Sequence, residues 1–346
     1  MTVTAPENTP VAEVPKSSGT RLVDRVFKMR ELAILAVFLV MIVVTQLGNS
    51  EFLTEQGIKD LLLNATILVL VAVGQSLVVI TRNVDLSVGS ILGISAFAAG
   101  TYLQGGGNAV VAVALAVLMG IGFGLLNGLL VSLGQVPALV VTLGTLYIIR
   151  GIDSIWVGSR QITASALPDG FVDFGSGGIS AVPYLALIAV AVLVVTAYYM
   201  KHFGSGRELY ALGSNPEAAR LAGIPVRKRI LIAYTFCGAL AGLAGALYLA
   251  RFGNVDSSTG NGYELTVVSA VVVGGVVFTG GSGSVYGAAL GALLLTSINS
   301  VLPALGVSSV WVLAINGILL ILAIAVDRVV ALRVAAALKK RNARHG

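Results

Sequence analysis

Long apolar stretches, separated by short polar or glycine-rich breaks, run through the chain from about residue 31 to residue 326. Ten of them approach membrane-spanning length: 31–48, 61–81, 87–104, 108–134, 136–150, 180–200, 230–250, 263–280, 284–302 and 308–326. A helix needs roughly 20 predominantly apolar residues to cross a bilayer. The stretch at 108–134 is long and that at 136–150 is short, so the break from Gly134 to Pro137 reads either as a turn between two spans or as a kink within one. The first 20 residues, MTVTAPENTPVAEVPKSSGT, hold no apolar core of the kind a cleaved signal peptide carries and read as a disordered tail. The pattern predicts an all-α polytopic membrane protein of about ten transmembrane helices. Its expected organisation is a tail at 1–20, a membrane domain at 21–330 interrupted by a polar loop at 201–229, and a basic tail at 331–346.

Composition strengthens this reading. Of 346 residues, 56% are hydrophobic and 11% charged, with a mean hydropathy of +0.93, against about 45–50% and about 25% in soluble domains. Most of the chain must therefore take lipid as its solvent. The 42 glycines favour a helical bundle over a barrel, because small residues let helix backbones approach closely in lipid. With a cytoplasmic N-terminus, 18 of the 22 Lys and Arg fall on the cytoplasmic side, and only Lys59, Arg150, Arg160 and Arg251 lie outside. Half of the 16 acidic residues lie on the outer side, so the asymmetry concerns positive charge alone, as the positive-inside rule requires. Both termini are then cytoplasmic. The net charge of +6 is spread along membrane edges and carries no nucleic-acid signal.

Small residues recur at helical spacing at Gly120, Gly124 and Gly128, at Gly238 and Gly242, and at Gly287 and Gly291. These mark expected packing faces. Residues 72–93 match residues 270–291 without gaps at 8 of 22 positions, including Thr81, Gly89 and Gly93. Either an internal duplication, common in transporter folds, or the narrow composition accounts for the match.

The polar inventory points away from an enzyme. No lysine follows a glycine, so a phosphate-cradling P-loop is absent. The single cysteine, Cys237, and two histidines, His202 and His345, supply neither a metal site nor a nucleophile triad within the membrane; no cofactor is implied. Asp85, Arg150 and Glu264 sit near span ends, where charged residues cap or anchor helices. The spans otherwise carry uncharged polar groups: Asn64, Thr66, Gln75, Ser76, Ser95, Asn127, Thr142, Thr145, Tyr147, Ser269, Thr296, Asn299 and Asn316. Such groups either exchange hydrogen bonds with a polyhydroxylated neutral solute or join helices to one another.

The segment GSGRELYALGSNPEAARLAGIPVRKR, Gly204 to Arg229, is punctuated as a short helix: Ser214 or Asn215 at the cap, Pro216 first, Glu217 in the first turn, Gly223 at the end and Pro225 beyond. A plain connector would not need caps at both ends. A mixed face of Ala218, Ala219, Leu221 and Ala222 with Glu217 and Arg220 suits docking into a shallow groove on another protein.

Four ordered motifs from roughly Glu31 to Asp327 give the chain a family resemblance: NVDLSVGS at 83–90, VPALVVTLGTLYIIRG at 136–151, GRELYALGSNPEAARLAGI at 206–224, and GNGYELTVVSAVVVGG at 260–275 with TGGSGSVYGA at 279–288. The chain resembles the permease subunits of ribose-type sugar ATP-binding-cassette importers. The resemblance implies two permease subunits, alike or different, around a central path in a bacterial inner membrane, cytoplasmic ATPases below and an extracytoplasmic solute-binding protein above. It makes Asn215 to Gly223 the coupling helix that sits in a cleft of the ATPase, with Glu217 and Arg220 orienting the contact and Ala218 and Ala219 seating it. Arg82, Asp85 and Ser87 become a turn motif in which Asp85 pairs with Arg82 or caps the next helix at Ser87. Gln75, Asn127, Thr142, Thr145, Glu264 and Asn299 are the expected path-lining groups. Ribose-like members carry a Gly-Gly-Ile-Asp turn where this chain has Thr81, Arg82 and Asn83 before Val84 and Asp85, which is more similar to the rhamnose and autoinducer-2 subgroup. Branched-chain amino acid permeases are the alternative within the class, and a self-sufficient sugar transporter the alternative outside it.

Overall fold

The computed structural model describes residues 35–47 and 52–304, together with 306, 308, 311, 314–322, 324, 325 and 329. The tails expected at 1–20 and 331–346, and with them the side on which each terminus lies, fall outside the described residues.

The chain is a helical bundle: α1 (Leu35–Leu47), α2 (Glu55–Ile80), α3 (Val88–Gln104), α4 (Ala109–Ser132), α5 (Ala138–Val157), α6 (Asp169–Ser176), α7 (Tyr184–His202), α8 (Gly204–Ser214), α9 (Pro216–Leu221), α10 (Val226–Phe252), α11 (Tyr263–Val273) and α12 (Val285–Ala304). The strands β1 (Gly178–Ile179) and β2 (Val182–Pro183) form a two-residue antiparallel ribbon. Among the described residues six helices are long and apolar enough to cross a membrane: α2, α4, α5, α7, α10 and α12. The break at Gly134 to Pro137 is a turn, with Gln135 in the left-handed region and α5 starting after Pro137.

One expected span comes out short. Helix α3 occupies the stretch expected at 87–104 with 17 residues, whereas α11 has only 11, which at about 1.5 Å per residue is roughly 16 Å, half of a ~30 Å hydrocarbon core. The stretch expected at 263–280 is therefore a half-length helix followed by a glycine-rich turn. Helix α11 stops at Val273 because Gly274 lies against the backbone of Gly287 and Ala288 of α12, and Gly275 takes a φ of 94°.

Glycine determines how the bundle packs. The expected faces meet one another: Gly120 and Gly124 of α4 lie against Gly238 and Gly242 of α10. A Cβ at Gly120 would overlap the Gly238 carbonyl oxygen and stand 2.9 Å from the Gly242 Cα; one at Gly124 would stand 2.5 Å from the Tyr234 oxygen. Gly291 meets Ala270 and Gly274 in the same way. Helix α2 also crosses α10 closely, a Cβ at Gly74 falling 2.9 Å from the Cys237 Cα. The second half of α2, with α3 and α10, makes the core, where Ile67, Leu70, Val73, Ile91, Tyr234 and Leu247 are buried. Large apolar side chains on the outer faces of α4, α5 and α7, such as Leu118, Val140, Ile148 and Val195, are exposed, as a lipid-facing surface requires.

Candidate functional site

Between α2 and α3 the chain leaves helical geometry and stays buried. At Thr81 the hydroxyl donates to the Val78 carbonyl (2.7 Å), closing α2, and Arg82 adopts a φ of 65° that reverses the chain. Val84 and Asp85 then run back alongside α2. The Gln75 side chain pairs with the backbone of Asp85 as a neighbouring strand would: its amide nitrogen donates to the Asp85 carbonyl (3.3 Å) and its oxygen accepts from the Asp85 N–H (3.1 Å). The Val84 carbonyl accepts from the Tyr234 hydroxyl (3.2 Å) and the Thr142 hydroxyl (3.2 Å). Non-helical backbone at membrane depth survives only where protein satisfies its polar groups, and here α2, α5 and α10 do so.

Asp85 organises the end of this turn. Its Oδ1 accepts from the Ser87 N–H (2.9 Å) and the Ser87 hydroxyl (2.6 Å), and the Asn127 amide of α4 donates to the Ser87 oxygen (2.8 Å) and, more weakly, to Asp85 Oδ1 (3.4 Å). Ser87 is the cap residue of α3 but makes no capping bond with its own side chain; the Asp85 carboxylate instead holds the Ser87 N–H and hydroxyl, fixing the residue at which α3 begins. Asp85, Ser87, Gln75, Asn127 and Thr142 are all buried, and the Thr145 hydroxyl donates to the Thr142 carbonyl (3.3 Å). Four of the six groups expected along a path are thus gathered in or beside one structural network. Glu264 and Asn299 take no part in it. Glu264 stands in the first turn of α11, its carboxylate where a Cβ on Gly89 would be 2.6 Å away, and Asn299 is half-buried on α12.

The expected Arg82–Asp85 pair does not form. The left-handed backbone at Arg82 sends the side chain away from Asp85, and its Nε donates to the Gly213 carbonyl and its Nη2 to the Ser214 carbonyl (2.7 Å). Those carbonyls end α8, where helix geometry leaves acceptors unsatisfied and a cation is favoured. The next residue, Asn215, caps α9: its Oδ1 accepts from the N–H groups of Glu217 and Ala218, both at 3.1 Å. Pro216 is first and Glu217 lies in the first turn. At the far end the Ile224 N–H donates to the Ala219 carbonyl (3.0 Å) and Gly223 has a φ of 78°, so both expected caps are present.

The faces of α9 divide differently from expectation. Ala219 is 4% exposed and packs within the chain, so it seats α9 on its own subunit. Glu217, Ala218 and Arg220 are exposed, and Leu221 is 91% exposed. An ion pair from Glu208 to Arg229 ties α8 to α10.

On the opposite side, residues 253–262 turn back along α3. The Ile162 N–H and carbonyl pair with Val255, and further along the loop the Thr259 and Gly260 carbonyls lie against Gly93 and Gly89. Arg150 holds the loop, donating to the Thr259 carbonyl (2.8 Å) and the Ser257 carbonyl (3.3 Å), with Asp153 3.7 Å away. Hydrogen bonds from Ser258 hold the Asp256 carboxyl below the ordinary carboxylate range, so it stays ionised as it shapes the turn. Sequence reasoning missed this loop and Asp153, because α5 continues to Val157 beyond the apolar window that ends at Arg150. Leu221, expected on the docking face of α9, is 91% exposed. Of the glycines matched between the two halves of the chain, Gly89 and Gly93 of α3 meet the loop before α11, whereas Gly287 and Gly291 of α12 meet the end of α11 and the turn after it.

Residues 57–324 match the family described as "Branched-chain amino acid transport system / permease component". The chain is 34% identical over 312 residues to the ribose import permease protein RbsC of Escherichia coli strain K12, covering 90% of this chain and 97% of that one. It is 36% identical over 301 residues to the autoinducer 2 import system permease protein LsrC of Escherichia coli O157:H7, covering 86% of each. Similarity to LsrC of Shigella flexneri is 36% over the same length. No solved structure matches the chain.

Proposed function

This chain belongs to the family of branched-chain amino acid transport system permease components, and we infer that it is the membrane-spanning permease subunit of an ATP-binding-cassette importer for a sugar or similar polyhydroxylated solute. It is not an enzyme; ATP hydrolysis resides on a separate subunit. The observation that carries the reading is α9, a helix capped at both ends that offers Glu217, Arg220 and a fully wetted Leu221 beside the chain reversal at Arg82. Leu221 beside Glu217 and Arg220 supplies the apolar and charged groups that such a docked contact uses.

Residues Asn215 to Gly223 form the coupling helix, docked in a cleft of a cytoplasmic ATPase. When ATP closes the nucleotide domains, the helix is pushed and the permease passes from inward-facing to outward-facing, a rigid-body form of alternating access. A second permease, a copy of this chain or a different one, completes the path, and an extracytoplasmic binding protein delivers the solute. The domain at 21–330 then spans the bacterial inner membrane about ten times, with both termini and the loop at 201–229 cytoplasmic, as the placement of Lys and Arg supports. Gln75, Asn127, Thr142 and Thr145 serve transport through the turn at Arg82, Asp85 and Ser87, while Glu264 and Asn299 are the groups offered to a solute. The names of the relatives favour ribose or the autoinducer-2 signal over a branched-chain amino acid.

A mild-detergent purification of the tagged chain from its native membrane tests the assignment. Recovery of a P-loop ATPase that hydrolyses ATP in the eluate is expected. Recovery of the chain alone, moving ribose into liposomes without ATP, would make it a facilitator.

Asp85→Ala probes the turn. It leaves the Ser87 N–H and the Ser87 hydroxyl short of an acceptor, at about 1–3 kcal/mol per buried donor, while the Asn127 amide keeps its bond to the Ser87 oxygen. A lower midpoint of thermal unfolding and reduced uptake of labelled ribose are expected, with Asp85→Asn, which keeps an acceptor oxygen, less affected in both. Uptake equal to that of the unaltered chain would remove the turn from the transport cycle.

A further inference from the structure

We propose that the Arg82 side chain is the positioning residue that carries displacement of α9 into the buried turn at Val84 to Ser87. The inference rests on the assignment of α9 as the ATPase-docking helix. Arg82 comes from the α2–α3 turn, yet its guanidinium is spent on the Gly213 and Ser214 carbonyls, 131 and 132 residues away in sequence. These two groups immediately precede Asn215, whose side chain begins α9. A planar fork on two successive carbonyls fixes direction as well as distance, which a single ammonium contact does not.

The surroundings keep this connection stiff. A Cβ on Gly280 would overlap Arg82 Cγ and lie 2.9 Å from the Arg82 nitrogen, so only glycine lets the arginine stem pass. The Gly281 N–H donates to the Ile80 carbonyl (2.8 Å), at the last residue of α2. Gly281 also abuts Ser214, and Gly213 packs directly on Ile80. Gly213 and Gly281 thus hold the end of α8 against the end of α2, and Gly280 lets the Arg82 stem pass along this contact to the Gly213 and Ser214 carbonyls. Three residues beyond Arg82, Asp85 is gripped by Gln75 of α2, and its carboxylate joins Ser87 to Asn127 of α4. A push on α9 reaches the interior along this line, while the Glu208–Arg229 pair joins the same elbow to α10.

The turn carries its own reporter position, since Leu86 is half-buried. In a chain with Cys237→Ala, Leu86→Cys would be alkylated with N-ethylmaleimide in vesicles containing the whole transporter, with and without ATP and vanadate. Ala222→Cys, exposed at the end of α9, reports docking in parallel. The expected result is a difference of about tenfold in the Leu86→Cys alkylation rate between the two states, in the range of ordinary allosteric coupling. Arg82→Ala should reduce it to about onefold and Arg82→Lys to an intermediate value, while Ala222→Cys stays protected by the ATPase. If Arg82→Ala does not assemble, Arg82→Gln, which keeps the stem and loses the charged fork, replaces it with the same expectation. A Leu86→Cys rate indifferent to nucleotide, or one that responds fully without Arg82, overturns the inference. An Ala222→Cys site left unprotected by the ATPase overturns the docking assignment itself, and the inference with it.

Discussion

Leucine in place of Gly120 is expected to keep the chain from accumulating in the membrane as a folded protein. The Cβ alone would overlap the Gly238 carbonyl oxygen and crowd the Gly242 Cα and nitrogen at 2.9 Å. All three are backbone atoms, so no flexible side chain can yield, and α4 and α10 must move apart. Apolar surface gains little from leaving lipid, so close packing is most of what holds these helices together, and separation forfeits it along the whole crossing. Overpacking costs about 1–3 kcal/mol even where a core adapts. Here a fall in the thermal midpoint of about 10 °C or more is expected, if folded protein is recovered at all. Gly122, two residues away, has nothing within 4 Å of where a Cβ would stand, and Gly122→Leu should leave the midpoint unchanged. Equal midpoints for the two variants would show that the α4–α10 contact is not what holds the bundle.

The second large effect concerns coupling. On the coupling-helix reading, replacing Glu217 and Arg220 together with alanine should reduce solute uptake at least about tenfold, the effect expected when contacts at the centre of an interface are lost. The fold should be untouched. Both side chains are exposed and make no hydrogen bond or ion pair among the described residues, and α9 remains capped by Asn215 and seated through Ala219. An unchanged thermal midpoint with loss of the ATPase from the detergent eluate would separate failed docking from unfolding. Leu221→Asp, which places a charge at a leucine that is 91% exposed, should have the same consequence by itself. Normal uptake in both variants would mean that the ATPase engages another surface.

What could be read in the sequence was local or periodic. The cap residues of α9 lie within ten positions of one another, and each acts on backbone groups in its own turn, so Asn215, Pro216 and Gly223 announced the helix. The glycine faces were legible for a related reason, because a period of four on α4 and α10 leaves backbone bare wherever the partner lies. Contacts over long sequence separations were not legible. Nothing near Arg82 in the chain indicates the Gly213 and Ser214 carbonyls, and of the two partners expected for Asp85, Arg82 and Ser87, only the fold selects Ser87. Gln75, Asn127 and Thr142 stood out as polar residues in apolar surroundings, but only the fold reveals that a single buried turn uses them. Hydropathy also misjudged α11: Val276, Val277 and Phe278 extend the apolar run past Val273, while the approach of Gly287 to Gly274 ends the helix.

The half-length of α11 bears on how the protein is made. A helix of roughly 16 Å is too short to partition into a bilayer as a crossing segment, and the polar loop before it, Asn254 to Asn261, has little reason to leave water unaided. Its seat is the glycine face of α3, where Gly89 and Gly93 receive the Gly260 and Thr259 carbonyls, and its flank is α12, which emerges from the ribosome later. Insertion of this segment therefore waits at both ends: the first helices must already be packed, and α12 must follow before the loop can settle. The last third of the membrane domain is thus assembled on a template laid down by the first.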